Sequence, residues 1–272
     1  MLTRFSPYRC ASSIQLGRTS AVALARAGWN VTVTGRRENE LQETVTLLNT
    51  AAGRDGAGHY VVGDITKEDV VLRVFKETSD KFGRVDLVFC NAGISPPNVP
   101  LAEQKLSDWQ ATVDVNLTAP YLCAREAFRY MEKQQPQGGR IIINGSISAY
   151  APRPFSSPYT ATKTAMTGLT KSLSLDGRKF NIAVTQIDVG NAASEMTAKM
   201  KQGPGVPQVS TVPSMNARRE TGIQKSKQPS FQLIDLLDPG RWFHAPRAYN
   251  GPRMVSSAPA RPSKLTPRLR KG

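Results

Sequence analysis

The sequence predicts a three-layer α/β fold: a doubly wound parallel sheet with helices on both faces. Three observations carry this. Short runs rich in β-branched and apolar residues recur at 30–34, 59–63, 85–89, 140–144 and 181–187, each of strand length. Helix-length segments separate them, and strands alternating with helices give a parallel sheet. The run Val85-Asp86-Leu87-Val88-Phe89 is almost wholly apolar, as a central strand covered on both faces should be.

Taken in order, a helix is expected from about Gly17 to Ala27, with Gly28-Trp29-Asn30 turning out of it. Asn30-Val31-Thr32-Val33-Thr34 alternates and is β-branched, hence a strand. Glu38 to Ala52 places Leu41, Val45 and Leu48 at helical spacing. His59 to Gly63 is the next strand, closed by Asp64-Ile65, and either Asp64 or Thr66 suits the cap of the following helix. That helix runs from Lys67 to Phe82 and Gly83 ends it. Ile94 to Leu101, with three prolines, is a loop. Ser107 starts a long helix to about Lys133, with Asn116 inside it. A buried Asn in a helix interior needs a partner. Arg140 to Asn144 is a strand, Tyr150 to Pro158 a rigid loop with three prolines, and Tyr159 to about Phe180 a helix. Ala161, Ala165 and Gly168 on that helix are small enough for another helix to pack closely. Asn181 to Ile187 is a further strand.

At 272 residues, 39% hydrophobic, the chain suits one α/β domain. No run approaches the roughly 18 apolar residues of a membrane span, so no membrane partner is expected. Cys10, Cys90 and Cys123 lack metal-type spacing and point to a reducing compartment. His59 and His244 are too few and too scattered for zinc, so no metal is expected. The net charge of +15 sits at the two ends. Residues 1–37 hold six arginines and no acid, and residues 217–272 hold twelve cations and three acids. The balanced body between them argues against a nucleic-acid binder.

One stretch carries chemistry. Tyr159 and Lys163 stand four apart at the head of a helix, and four residues bring two side chains onto one face. An ammonium beside a phenol favours the phenolate, which suits a general acid/base exchanging a proton with an alcohol or carbonyl. Ser146 lies thirteen residues upstream of Tyr159, just past the strand 140–144, and could hydrogen-bond the same oxygen. Ser148 is the less well spaced alternative.

With Asn91-Ala92-Gly93 after the strand 85–89, and Asp114-Val115-Asn116 further on, the chain resembles a short-chain dehydrogenase/reductase from about Ala21 to Met200. The resemblance implies a Rossmann-type sheet and an NAD(P)-dependent oxidoreductase interconverting an alcohol and a carbonyl. It assigns Tyr159 as acid/base, with Lys163 also bonding the nicotinamide ribose. It has Ser146 polarise the substrate oxygen and Asn116 hold a water on a proton path. It places Asp64 on the adenine, Asn91, Ala92 and Gly93 along the cofactor ribose, and Val189 and Ser194 at the nicotinamide. Gly35-Arg36-Arg37 follows the first predicted strand. An acid there would bond the ribose of NAD, whereas Arg36 and Arg37 favour the 2′-phosphate, so NADP is expected rather than NAD. The partners implied are a small-molecule substrate and further copies of the chain, as a homodimer or homotetramer.

Both ends depart from the pattern. A family member opens with an apolar strand, then Thr-Gly-x-x-x-Gly-x-Gly at a helix N-terminus, where the backbone meets the cofactor pyrophosphate. Here residues 1–20 form an atypical segment. Pro7 and flanking arginines spoil a buried strand. Ala11-Ser12-Ser13 and Gly17 read as remnants of the loop, with Gly17 toward the phosphates. Ile14, Gln15 and Leu16 stand where glycines are expected and would crowd them. The segment is either a targeting peptide, giving a mitochondrial rather than cytoplasmic location, or a sign that the true first strand is missing. Residues 21–205 are expected to be the Rossmann-type domain, without a proper first or last strand. Residues 206–272 read as a basic, Pro/Arg/Ser-rich disordered tail with one apolar island, Phe231 to Leu237. The alternative to an active enzyme is a truncated or mis-spliced product without catalysis.

Overall fold

The structure, a computed structural model, describes residues 11–190 and 215–217. Helix α1 (Ala11–Arg26) leads to β1 (Val31–Gly35), α2 (Glu38–Ala52), β2 (Gly58–Val62), α3 (Glu68–Phe82) and β3 (Leu87–Cys90). Then come α4 (Leu106–Val113), α5 (Ala119–Met131), β4 (Gly139–Asn144), α6 (Ser157–Asp176), β5 (Ile182–Val189) and β6 (Met215–Ala217).

The strands β1 to β5 fall within two residues of their predicted positions. β1 pairs β2 in parallel, β3 pairs β4 and β4 pairs β5 likewise, while β6 runs antiparallel to β5. Three residues of antiparallel strand are not the parallel last strand that the sequence lacked. Among the described residues the strands form two sheets, β1-β2 and β3-β4-β5-β6. No described strand joins β1 to β3; the expectation of a missing first strand falls on residues 1–10, which lie outside the described residues.

Each sheet face buries its own core, as period-2 alternation requires. Ile141 and Ile143 of β4 pack with Val71 and Phe75 of α3, Ala124, Ala127 and Met131 of α5, and Met166 of α6. Ile142, between them in sequence, packs on the other face with Ala21 and Ala25 of α1 and Leu41 and Leu48 of α2. Gly83 ends α3 in the left-handed conformation, φ 80°, its amide closing on Ser79 O at 2.7 Å.

Three local expectations are corrected. α1 begins at Ala11, not at Gly17, so residues 11–17 are helix and not loop remnants. Ser, Ile, Gln and Leu propagate a helix where glycines would have broken it. The long helix expected from Ser107 to Lys133 is interrupted by a π-turn, Asp114–Thr118. Pro120 has no amide to offer one turn back, and widening the turn absorbs the missing hydrogen bond. Neither Asp64 nor Thr66 caps α3, whose N-cap is Lys67 with no side-chain bond. Instead Asp64 Oδ1 accepts from Thr66 N at 3.0 Å and Thr66 Oγ1 at 2.9 Å, closing a local turn. No helix among the described residues is long and apolar enough to cross a membrane.

Candidate active site

The carboxyl ends of β3, β4 and β5 meet the first turns of α6. This is where an open α/β sheet binds ligands. Pro158 sits in the first turn of α6, where its missing amide does no harm. Tyr159 follows it, half-buried, and Lys163 lies one turn on.

Lys163 is 3% exposed, a rare position for an ammonium. Its Nζ donates to Asn144 O at the end of β4, 2.6 Å away, and lies 5.7 Å from the centre of the Tyr159 ring. Gly93 closes the cluster: a Cβ built there would stand 3.6 Å from Asn116 Oδ1 and 3.7 Å from Lys163 Nζ. The π-turn places Asn116 at 1% exposure between the loop after β3 and α6. Its Oδ1 accepts from Ile94 N at 2.8 Å. Its Nδ2 donates to Ile94 O at 2.9 Å and to Thr162 Oγ1 at 3.2 Å. The Asn116 side chain is therefore a brace that fixes Lys163's helix to the Asn91-Ala92-Gly93 turn. Removing it strands buried groups at Ile94 and Thr162, so Asn116→Ala is expected to lower stability by about 2 kcal/mol in urea unfolding.

Asn91 is buried, and its Oδ1 accepts from Asn144 Nδ2 at 3.0 Å, tying the ends of β3 and β4 together. Ser146 leaves β4 through Gly145. Its amide donates to Asp188 Oδ1 of β5 at 3.1 Å, and its Oγ accepts from Ser148 N at 3.1 Å. With that acceptor role filled, the Ser146 hydroxyl hydrogen is left to donate. The turn carrying Ser146 rests on α6, where Thr164 Oγ1 donates to Ala149 O at 3.4 Å. Ser148 supplies its backbone to Ser146 and is 4% exposed.

Sequence reasoning missed two residues here, Asn144 and Asp188. Both hold others in place through hydrogen bonds that no spacing announces. Val189 ends β5 next to Asp188, paired with Met215. Ser194 lies outside the described residues. The remaining candidates lie elsewhere. Gly17 is buried one and a half turns inside α1, where its amide belongs to the helix ladder. Arg37 pairs with Glu40 Oε1 at 3.2 Å, and Glu40 also binds Arg18 at 2.8 Å. Arg36 follows β1 and has no ion-pair partner among the described residues.

The residues present fit the nicotinamide–ribose end of a dinucleotide. Gly93 lies beside Asn116 and Lys163, Tyr159 is on the same helix as Lys163, and Asn144 Oδ1 is a buried acceptor with no partner among the described residues. They do not supply the pyrophosphate end in the expected form, because residues 11–17 are helix.

Comparison with known proteins identifies the family of the chain. The profile of the short chain dehydrogenase family matches residues 11–205. The chain is 32% identical over 189 residues to a 3-oxoacyl-[acyl-carrier-protein] reductase of Synechocystis sp., covering 70% of this chain and 74% of that protein. It is 32% identical over 175 residues to a glucose 1-dehydrogenase of Gluconobacter oxydans, covering 64% of each. Among solved structures, sorbitol-6-phosphate 2-dehydrogenase of Erwinia amylovora superposes with a TM-score of 0.64 at 31% identity, covering 68% of this chain and 72% of that one. With its family profile spanning most of the described sheet and its tyrosine–lysine pair at the sheet's carboxyl edge, the chain belongs to the short-chain dehydrogenase family of oxidoreductases.

Proposed function

We propose that this chain interconverts an alcohol and a carbonyl with NADP, Tyr159 acting as the acid/base. The observation that carries the reading is the buried Lys163 ammonium, fixed by Asn144 O beside the Tyr159 ring. In the reducing direction Tyr159 gives its hydroxyl proton to the carbonyl oxygen, and Lys163 stabilises the phenolate left behind. Ser146 donates its hydroxyl hydrogen to the same oxygen and holds it in place. Asn116 and Asp188 keep these groups in register. A bound nicotinamide supplies the hydride that the carbonyl carbon receives. Oxidation of an alcohol reverses each transfer.

The NADP preference rests on Arg36, which has no competing acid among the described residues, more than on Arg37, which Glu40 already holds. Arg36→Glu is expected to weaken NADPH binding about tenfold relative to NADH. Equal loss for both cofactors in a fluorescence titration would remove Arg36 from the site. The substrate is a small molecule. Ala161, Ala165 and Gly168 lie exposed along α6, which supports a homodimer or homotetramer packed through that helix.

A second reading is favoured by the helical course of residues 11–17, where the phosphate-binding loop is expected. It is a family member that keeps the proton-handling cluster without turnover. A direct NADPH titration separates the two. Saturable micromolar binding with reduction of a ketone supports the enzyme, and no saturation at millimolar cofactor supports the second reading.

A further inference from the structure

We propose that the side-chain oxygen of Asn144 is a binding group for the cofactor, accepting a hydrogen bond from the carboxamide amino group of the nicotinamide. For its cofactor this rests on the oxidoreductase reading above. Asn144 ends β4 with one half of its amide engaged. Its Nδ2 donates to Asn91 Oδ1 at 3.0 Å and approaches Asn91 O at 3.5 Å. A main-chain oxygen can only accept, so the half of the amide turned to Asn91 is the nitrogen. Oδ1 points the other way. It is buried and has no partner among the described residues. A buried acceptor without a donor is costly and rare in folded proteins. A donor is therefore expected from something the site binds.

The place of that oxygen fits a nicotinamide. Ile142 and Ile187 pack on the α1 face of the sheet. Asn144 stands two residues beyond Ile142 and pairs in register with Ile187, so its side chain leaves the sheet on that same face. β4 lies between β3 and β5. An oxygen turned away from Asn91, which follows β3, is turned toward β5, the strand whose Asp188 holds the Ser146 amide. The main-chain oxygen of Asn144 takes Lys163 Nζ at 2.6 Å. Ser146 follows two residues on, at most about 7 Å along the chain. The proposed reaction puts the substrate oxygen between Tyr159 and Ser146. The hydride leaves the ring carbon next to the one that carries the carboxamide. The carboxamide therefore lies close to the residues that hold the substrate oxygen, and Asn144 is joined to two of them.

The two groups are complementary. A carboxamide brings two N–H donors and one acceptor oxygen. Lys163 is a donor only and cannot receive those hydrogens. Ser146 Oγ already accepts from Ser148 N at 3.1 Å, and Asn116 Oδ1 from Ile94 N at 2.8 Å. Asp188 Oδ1 already receives Ser146 N and Gln186 Nε2. Among the described side-chain oxygens buried in this cluster, Asn144 Oδ1 is the one with no donor.

Titration of the full chain with oxidised cofactor analogues tests this. NADP and its thionicotinamide analogue both carry the amino group. The 3-acetylpyridine analogue has a methyl group in its place. The parent is expected to bind the first two about tenfold more tightly than the third, the effect of one lost hydrogen bond to a buried group. Asn144→Leu keeps the size, removes the oxygen and should bring the three affinities together. Asn91→Leu breaks the same Asn91–Asn144 bond but leaves Asn144 Oδ1, so the tenfold ratio should persist. A crystal structure of the parent with NADP needs no variant: the carboxamide nitrogen should lie about 3 Å from Asn144 Oδ1. Turnover is read in none of these. Equal binding of NADP and the acetylpyridine analogue by the parent overturns the proposal and leaves the oxidoreductase reading standing. So does a ratio unchanged in Asn144→Leu, a ratio lost in Asn91→Leu, or a water on Oδ1 in the complex. A parent that binds none of the three overturns both.

Discussion

Tyr159→Phe is expected to lower kcat for NADPH-dependent ketone reduction by about a thousandfold, the scale of one well-placed general acid. The change removes one oxygen and keeps the ring. Lys163 remains held by Asn144 O, and the Thr162 hydroxyl still donates to the carbonyls of the preceding turn, Pro158 O and Tyr159 O. The fold and the cofactor affinity should therefore stay near those of the parent. A steady-state assay beside an NADPH titration reads both. A loss in binding as large as the loss in kcat would make Tyr159 a structural residue, and a loss under tenfold would take the proton transfer away from it.

Gly145→Ala is expected to be the most damaging small change in the site. A Cβ on Gly145 would overlap Asp188 Oδ1 and stand 2.7 Å from Gln186 Nε2. Asp188 is 5% exposed and accepts from both Ser146 N and Gln186 Nε2. Neither neighbour can move without breaking those bonds. Overpacking combined with a lost charged hydrogen bond should cost about 3 kcal/mol in urea unfolding. Asp188→Asn keeps an acceptor oxygen and adds no atom at Gly145, so it should cost less. Equal stability of Gly145→Ala and the parent would show that the β4 and β5 ends are not packed this closely.

The strands and helices of the body were legible because each is announced locally. β-branched runs mark β1 and β2, apolar spacing marks α2, and glycines mark where α2 and α3 stop. Tyr159, Lys163 and Ser146 were legible by spacing on a helix and at a strand exit. Asn116 was legible only as an anomaly, a polar side chain in a buried helix. Its partners, Ile94 and Thr162, are 22 and 46 residues away. Asp188 was invisible for the same reason, because its hold on Ser146 is a bond to an amide 42 residues back. The start of α1 was misplaced because Gly17 was taken for a loop remnant, whereas the residues before it prefer helix. The resemblance supplied the cofactor; residues 11–17 are helix and not the loop remnant read from the sequence.

The most direct test of the whole account uses NADPH carrying deuterium at the transferring position of the nicotinamide. The full chain is incubated with it and a panel of simple ketones, and the products are read by mass spectrometry. The account predicts deuterium on the carbinol carbon of at least one alcohol, formed by the parent chain and not by Tyr159→Phe. NADPH that binds saturably but yields no labelled alcohol, or labelled alcohol made equally well without the tyrosine hydroxyl, would contradict it.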